Sequence, residues 1–138
     1  MNLDLIDMIS ERHIQLRSKL QQLWDEEDGA IKLSNSEWFV MSLVAQAQLT
    51  IPHAAKRLDI SRQAAHKLIR SLEAKGLIEI RNINKKVKTA QFTELGLQYN
   101  ERYKELKAEI ERAIAKSIGQ DKLQWLYEVL RSDWDSFI

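Results

Sequence analysis

Two short helical stretches that must cross at close range constrain this chain more than any other feature. The first opens at Thr50 and Pro52 and runs through Ala54-Ala55 to Leu58; the second begins after Ser61 and continues to Lys75, where Gly76 stops it. Only Asp59-Ile60 separates them, a tight turn where a left-handed residue is often needed, and aspartate tolerates that conformation better than most. Proline fits a first helical turn because its missing N–H would have no intrahelical partner there. Ser61 can cap the second helix by accepting a backbone N–H. Alanines at 54, 55, 64 and 65 leave no bulk at the crossing, as a helix–turn–helix requires.

Glycine and proline are so scarce, four and one in 138 residues, that each marks a boundary. Leu3 to Trp24 reads as a first helix, with Leu3, Ile6, Ile9, His13, Leu16, Leu20 and Leu23 on one stripe. The acidic run Asp25–Asp28 and Gly29 end it. Ser34-Asn35-Ser36-Glu37 spells a capping box for a second helix carrying Trp38, Phe39, Met41, Leu43 and Val44. After Gly76, Leu77–Ile80 and Val87–Phe92 read as two strands joined by a polar turn over residues 82–86. From Thr93 a long helix runs to Ile118, with Tyr99, Tyr103, Leu106, Ile110 and Ala113 spaced like a coiled-coil seam. Gly119 breaks it. A last helix places Leu123, Leu126, Tyr127, Leu130, Trp134 and Phe137 on one stripe, and Trp125 and Val129 on another. Apolar residues on two faces are more than one intrachain contact would hide. The expected fold is therefore mainly α with a small β-hairpin, in one domain spanning 1–138.

Charge is distributed unevenly along this frame. Thr50 to Thr93 holds ten basic residues against three acids, a balance of +7, while the rest of the chain stands at −6. A nearly neutral total conceals a basic module able to attract polyanionic phosphate with one surface. If Ala65, Leu68, Ile69 and Leu72 are the buried face of the helix after Ser61, a rotation of about 100° per residue puts Gln63, Lys67 and Arg70 opposite. His66 lies beside them and Arg62 flanks the first turn. These side chains suit major-groove readout: arginine bonds guanine bidentately, glutamine does so to adenine, and lysine or histidine reaches guanine acceptors or phosphates. The turn of the hairpin adds Asn84, Lys85, Lys86 and Lys88, a wing placed to meet phosphates or the minor groove. The candidate DNA-binding set is Ser61, Arg62, Gln63, His66, Lys67, Arg70, Asn84, Lys85, Lys86 and Lys88. A winged-helix module that docks protein or RNA without reading DNA sequence is the alternative. It would usually show apolar anchors at positions 63, 67 or 70.

Other chemistries find little support. The absence of cysteine excludes disulfides, thiol redox sensing, iron–sulfur clusters and cysteine zinc sites. His13, His53 and His66 lack the spacing of a helical metal site, so no metal or cofactor is expected. His13, on the apolar stripe, reads as a hydrogen-bonded interface histidine. No phosphate loop, nucleophile elbow or paired-acid motif appears, and no enzyme activity is expected. Charges within the N-terminal stripe and polar residues in the longest uncharged run argue against a signal peptide or a membrane span, leaving the cytoplasm as the expected address.

Four motifs in order resemble the MarR family of bacterial winged-helix transcription regulators, from about Leu33 to the C-terminus. They are Leu33-Ser34-x-x-Glu37-Trp38-x-Val40, Ala54-Ala55-x-x-Leu58-x-Ile60-Ser61-Arg62, Leu72-Glu73-x-Lys75-Gly76-Leu77-Ile78 and Phe92-Thr93-Glu94-x-Gly96. The resemblance implies a winged helix over 33–93 and dimerisation helices over 1–28 and 94–138. It implies a homodimer with its recognition helices in successive major grooves of a pseudo-palindromic operator, and a repressor role. It also implies an effector pocket between the dimerising and DNA-binding parts for a small apolar or aromatic molecule, with Trp24 or Trp38 as candidate lining; the effector's identity stays unknown. The sequence departs from the family in the wing, where Asn84-x-Lys86 stands in place of a common Asp-x-Arg. Lysine keeps a phosphate contact, which needs only charge, but gives up the arginine favoured in narrow minor grooves. Phosphate clamping and minor-groove readout both stay open for this wing.

Overall fold

Local capping chemistry sets most of the boundaries in the computed structural model, which describes residues 3–136. Helix α1 (Leu5–Asp25) starts where Asp4 accepts from the Asp7 N–H, and α2 (Asn35–Gln46) starts at the complete Ser34/Glu37 capping box. Helices α3 (Ile51–Leu58) and α4 (Arg62–Ala74) are capped by Thr50 and Ser61. Asp59 between them is left-handed, with φ 55° and ψ 49°, as its place in the turn requires. Ala54, Ala55 and Ala65 are buried at the α3–α4 crossing. Gly76, at φ 77°, ends the helix–turn–helix; the next N–H, that of Leu77, returns to the Leu72 carbonyl.

The hairpin is part of a three-stranded antiparallel sheet. Strand β1 (Leu49–Thr50) was not expected: it is an extended pair between α2 and α3 that aligns Leu49 with Ala90 and Thr50 with Thr89. Strands β2 (Ile78–Asn82) and β3 (Lys88–Phe92) form the wing in register Ile78 to Phe92 and Asn82 to Lys88, and the order is β1-β3-β2. The extra strand pins the root of the wing to the start of α3.

Helix α5 (Glu94–Ile118) begins at the Thr93 cap, and Gly119 separates it from α6 (Gln120–Arg131). Helix α6 ends earlier than its stripe predicts. Ser132 is extended (φ −66°, ψ 160°), and the Trp134 indole N–H turns back to the Val129 carbonyl and the Ser132 hydroxyl. Trp134 is therefore off the helix; Phe137 lies outside the described residues.

The core joins α1, α2 and α5 through aromatic rings. Trp38 stacks on Tyr103 with centroids 3.6 Å apart and planes 6° apart, while Trp24 meets Trp38, Tyr99 and Tyr103 edge-on. The indole of Trp24 donates to the Ile31 carbonyl, and the Tyr99 hydroxyl accepts from the Ile31 N–H, fastening the α1–α2 loop to α5. Of the seam expected along α5, Tyr103 and Leu106 are buried and Tyr99 and Ile110 are packed on the core, but Ala113 is exposed.

Candidate nucleic-acid interface

Helix α4 is held from behind so that its polar face points outward. Ala65, Ile69 and Leu72 are buried. Arg62, Gln63, His66, Lys67 and Arg70 are all exposed. The Ser61 hydroxyl accepts from the Ala64 N–H at 3.0 Å, so this exposed serine serves the helix start first. At the other end, Ser71 Oγ and Lys75 Nζ both donate to the Glu37 carboxylate, at 3.0 and 2.8 Å. Glu37 also accepts from the Ser34 N–H at 3.0 Å. Burial pushes the Glu37 carboxyl up. The hydrogen bonds from Lys75, Ser34 and Ser71 and the Lys75 charge outweigh that and hold it below its ordinary value. Lys75, one of the ten basic residues of this segment, is therefore structural: its ammonium also donates to the Lys32 carbonyl. The capping-box spacing identified Glu37, but no local pattern could reveal a partner 38 residues away.

Arg70 does not stand free. Its NH1 donates to Glu73 Oε1 at 2.7 Å, and its Nε–H donates to His66 Nε2 at 3.3 Å. The three side chains make a continuous row along the outer face of α4. Glu73 was not among the expected site residues, although its i,i+3 spacing from Arg70 marks a possible ion pair.

The wing tip is shaped by Asn84. Its Oδ1 accepts from the backbone N–H groups of Lys86 and Val87, at 2.9 and 3.0 Å, while the Ile83 N–H donates to the Val87 carbonyl. This is an asparagine-capped turn, so the Asn84 amide oxygen is engaged with its own backbone. Lys85, Lys86 and Lys88 are exposed around it. Arg81, further down β2, pairs with Glu79 at 2.6 Å. A cleft of about 280 Å³, lined by Thr50, Ile51, Pro52, Lys86, Val87 and Lys88, brings two wing lysines beside the start of α3. The sequence could not show that juxtaposition, because it depends on the β1–β3 pairing.

All ten expected contact residues are thus exposed, in two groups: one along α4 and one at the wing tip. Among the described residues, no three histidine or acidic side chains converge on a metal position, and no helix is long and apolar enough to cross a membrane.

Residues 31–84, from the loop before α2 to the tip of the wing, match the model of the MarR family. This segment is similar to the MarR-family winged helix. No curated protein matches the sequence, but solved structures carry the likeness to nearly the full chain. Wild-type apo MarR from E. coli is 18% identical, with a TM-score of 0.75 over 95% of this chain and 97% of that one. MepR from S. aureus in complex with DNA is 18% identical, with a TM-score of 0.73 over 94% of both chains. NadR in complex with 4-hydroxyphenylacetate is 20% identical, with a TM-score of 0.72 over 94% of this chain and 91% of that one. At such identities the shared property is the fold.

The effector expectation meets a filled junction between its two candidate tryptophans. Trp24 and Trp38 are buried within the aromatic cluster and leave no chamber between them. Trp24 borders a cleft of about 310 Å³ with Tyr99, Glu27 and Arg102, where Arg102 is already paired with Glu27. A broader cleft, about 780 Å³, lies between α1 and the start of α2, with His13, Arg17, Gln21 and Asn35 among its lining.

Proposed function

We propose that this protein is a homodimeric transcription repressor of the MarR family that reads a pseudo-palindromic DNA operator with α4 and holds its backbone with the wing. The observation that carries the reading is the outer face of α4. It presents Arg62, Gln63, Lys67 and Arg70 to solvent with no apolar anchor among them, next to a lysine-bearing tip. Base edges and phosphates suit such a face; a protein partner would want a buried aromatic or aliphatic hot spot there. The MepR–DNA complex, with the same fold, supports DNA as the partner.

Selection of binding sites from random duplexes tests the reading. Half-sites about one helical turn, ~10 base pairs, apart are expected. Against the selected operator, Arg62→Ala, Gln63→Ala or Arg70→Ala is expected to cost roughly 1–3 kcal/mol in at least one case and to relax preference at particular positions. Lys86→Ala is expected to weaken operator and random DNA alike. Its log–log salt slope should become shallower by about one unit per subunit altered. Loss of operator binding by Lys86→Ala with random-DNA affinity intact would reverse this division of labour.

Dimerisation is supported by what one chain leaves uncovered. Every residue from Leu5 to Leu16 of α1 is exposed, including Ile6 at 75%, and Trp125 on α6 is 65% exposed. Three turns of helix with no partner are marginal in water. Between α1, α5 and α6 runs an apolar cleft of about 330 Å³ lined by Leu16, Leu20, Ile114 and Leu126. Equilibrium sedimentation at micromolar concentration is expected to show a dimer; a stable folded monomer would contradict the proposal. For the effector, the NadR complex supports a small aromatic acid. The cleft between α1 and the start of α2 offers such an acid the Arg17 guanidinium, beside Asp25 and Glu26, and titration of such acids into the operator complex is the corresponding test.

A further inference from the structure

We infer that Glu73 is a specificity-determining residue of the recognition helix: it holds Arg70 in a state that favours neutral base edges over phosphates. The inference rests on the DNA-reading role proposed above and deepens it. Arg70 reaches solvent with its Nε–H given to His66 and its NH1 given to the Glu73 carboxylate. Both members of the pair are substantially exposed, so the ion pair sits on the surface that would face DNA. Its worth to folding is small, as for exposed pairs generally, and a role in stability does not explain it.

The effect on binding follows from charge. A phosphate approaching Arg70 also meets the charge of the Glu73 carboxylate, 2.7 Å from the guanidinium NH1, and the two anions repel. A guanine edge carries acceptors but no net charge, so Glu73 opposes it less than it opposes a phosphate. Meanwhile the restrained guanidinium has lost part of its rotational freedom before the base arrives, which lowers the cost of ordering it on binding. Non-specific association is dominated by phosphate neutralisation, so an acid at this position weakens random binding more than operator binding. Neighbouring Lys67 has no such carboxylate among the side-chain bonds of α4 and is left to meet phosphate.

The test compares wild type with Glu73→Gln on the selected operator and on a scrambled duplex, each across a range of salt concentrations. Glutamine keeps the size and an acceptor oxygen but removes the charge. Affinity for the scrambled duplex is expected to rise by roughly ten-fold per dimer, with a salt slope steeper by up to about one unit per protomer. Operator affinity is expected to rise less than three-fold, so the specificity ratio falls. The double variant Arg70→Ala with Glu73→Gln should lose this differential, because the effect passes through Arg70. Thermal unfolding of Glu73→Gln should stay close to wild type, which separates the effect from misfolding. Equal gains on both duplexes, an unchanged salt slope, or a differential that survives Arg70→Ala would each overturn the inference alone. A wild-type protein with no preference for any duplex would overturn the DNA-reading proposal as well.

Discussion

Gly96→Ala is expected to destabilise the fold by roughly 3 kcal/mol or more, although alanine is the better helix former by about 1 kcal/mol. Gly96 lies in the first turn of α5, which is seated directly on the end of the recognition unit. A Cβ there would overlap the Leu77 carbonyl oxygen, approach its carbon to 2.9 Å, and reach Phe92 Cδ1 at 3.1 Å. The obstacle is backbone, so no side-chain rotation relieves it. That same carbonyl accepts from the Thr93 N–H, and the Thr93 hydroxyl donates to the Gly76 carbonyl while accepting from the Gly96 N–H. Displacing α5 therefore loosens the closure of α4, the root of the wing and the start of the long helix together. Gly29→Ala is the control: its φ of 70° carries the usual strain of a left-handed alanine, about 1 kcal/mol, but nothing lies within 4 Å of the added carbon. Urea unfolding of both variants at one protomer concentration, since a dimer's stability depends on it, should rank Gly96→Ala far below the control. A Gly96→Ala protein within 1 kcal/mol of wild type would show that α5 can lift from Leu77 freely.

Features encoded within four residues of one another were legible in the sequence, and features that depend on a distant partner were not. The capping box at Ser34/Glu37, the left-handed Asp59 and the stop at Gly76 each follow from one residue's own conformational chemistry. Strand β1 has two residues and no periodicity; it exists because β3 offers an edge, which only the folded wing provides. The end of α6 was overrun because a 3.6-residue stripe continues through Trp134, while the indole finds better partners in Val129 and Ser132. At the candidate interface, exposure was predictable from helical phase and polarity. Engagement was not. Arg70 could have reached outward or toward Glu73, Asn84 could have faced a groove or its own turn, and Lys75 could have been a phosphate contact. Sequence spacing permits each choice, and the geometry of neighbouring elements makes it.

Lys75→Met is expected to be worse for stability than Glu37→Gln, and both deficits should shrink on acidification but over different pH ranges. The pair joins the end of α4 to the start of α2, but its members are buried unequally. The Glu37 side chain is only 8% exposed, whereas Lys75 is 29% exposed and can turn its ammonium to water. Removing Lys75 leaves a buried carboxylate without its counter-charge, a defect of about 3–5 kcal/mol. Glu37→Gln leaves a lysine that can rehydrate and an amide oxygen that can still accept from the Ser34 N–H. One charged hydrogen-bond set is lost, at about 1.5–3 kcal/mol. In the wild type the Glu37 pKa is lowered on folding from an ordinary value of 4.5. Its contribution is therefore complete above about pH 4.5 and disappears as the pH falls through the lower folded value. Glu37→Gln removes this dependence, so its deficit relative to wild type should shrink on acidification below pH 4.5. In Lys75→Met, burial acts on Glu37 without the ammonium, and the folded pKa should move upward. Protonation then relieves the buried charge, so acidification toward pH 4.5 should recover stability that the variant lacks at pH 7. Urea midpoints for the three proteins at pH 7, at pH 4.5 and at a pH well below 4.5, at equal protomer concentration, check both claims. Equal losses for the two variants at pH 7, or a Lys75→Met deficit that grows with acid, would mean that Glu37 reaches water when its partner leaves. Helix α4 would then be positioned by Ser71 and the apolar face alone.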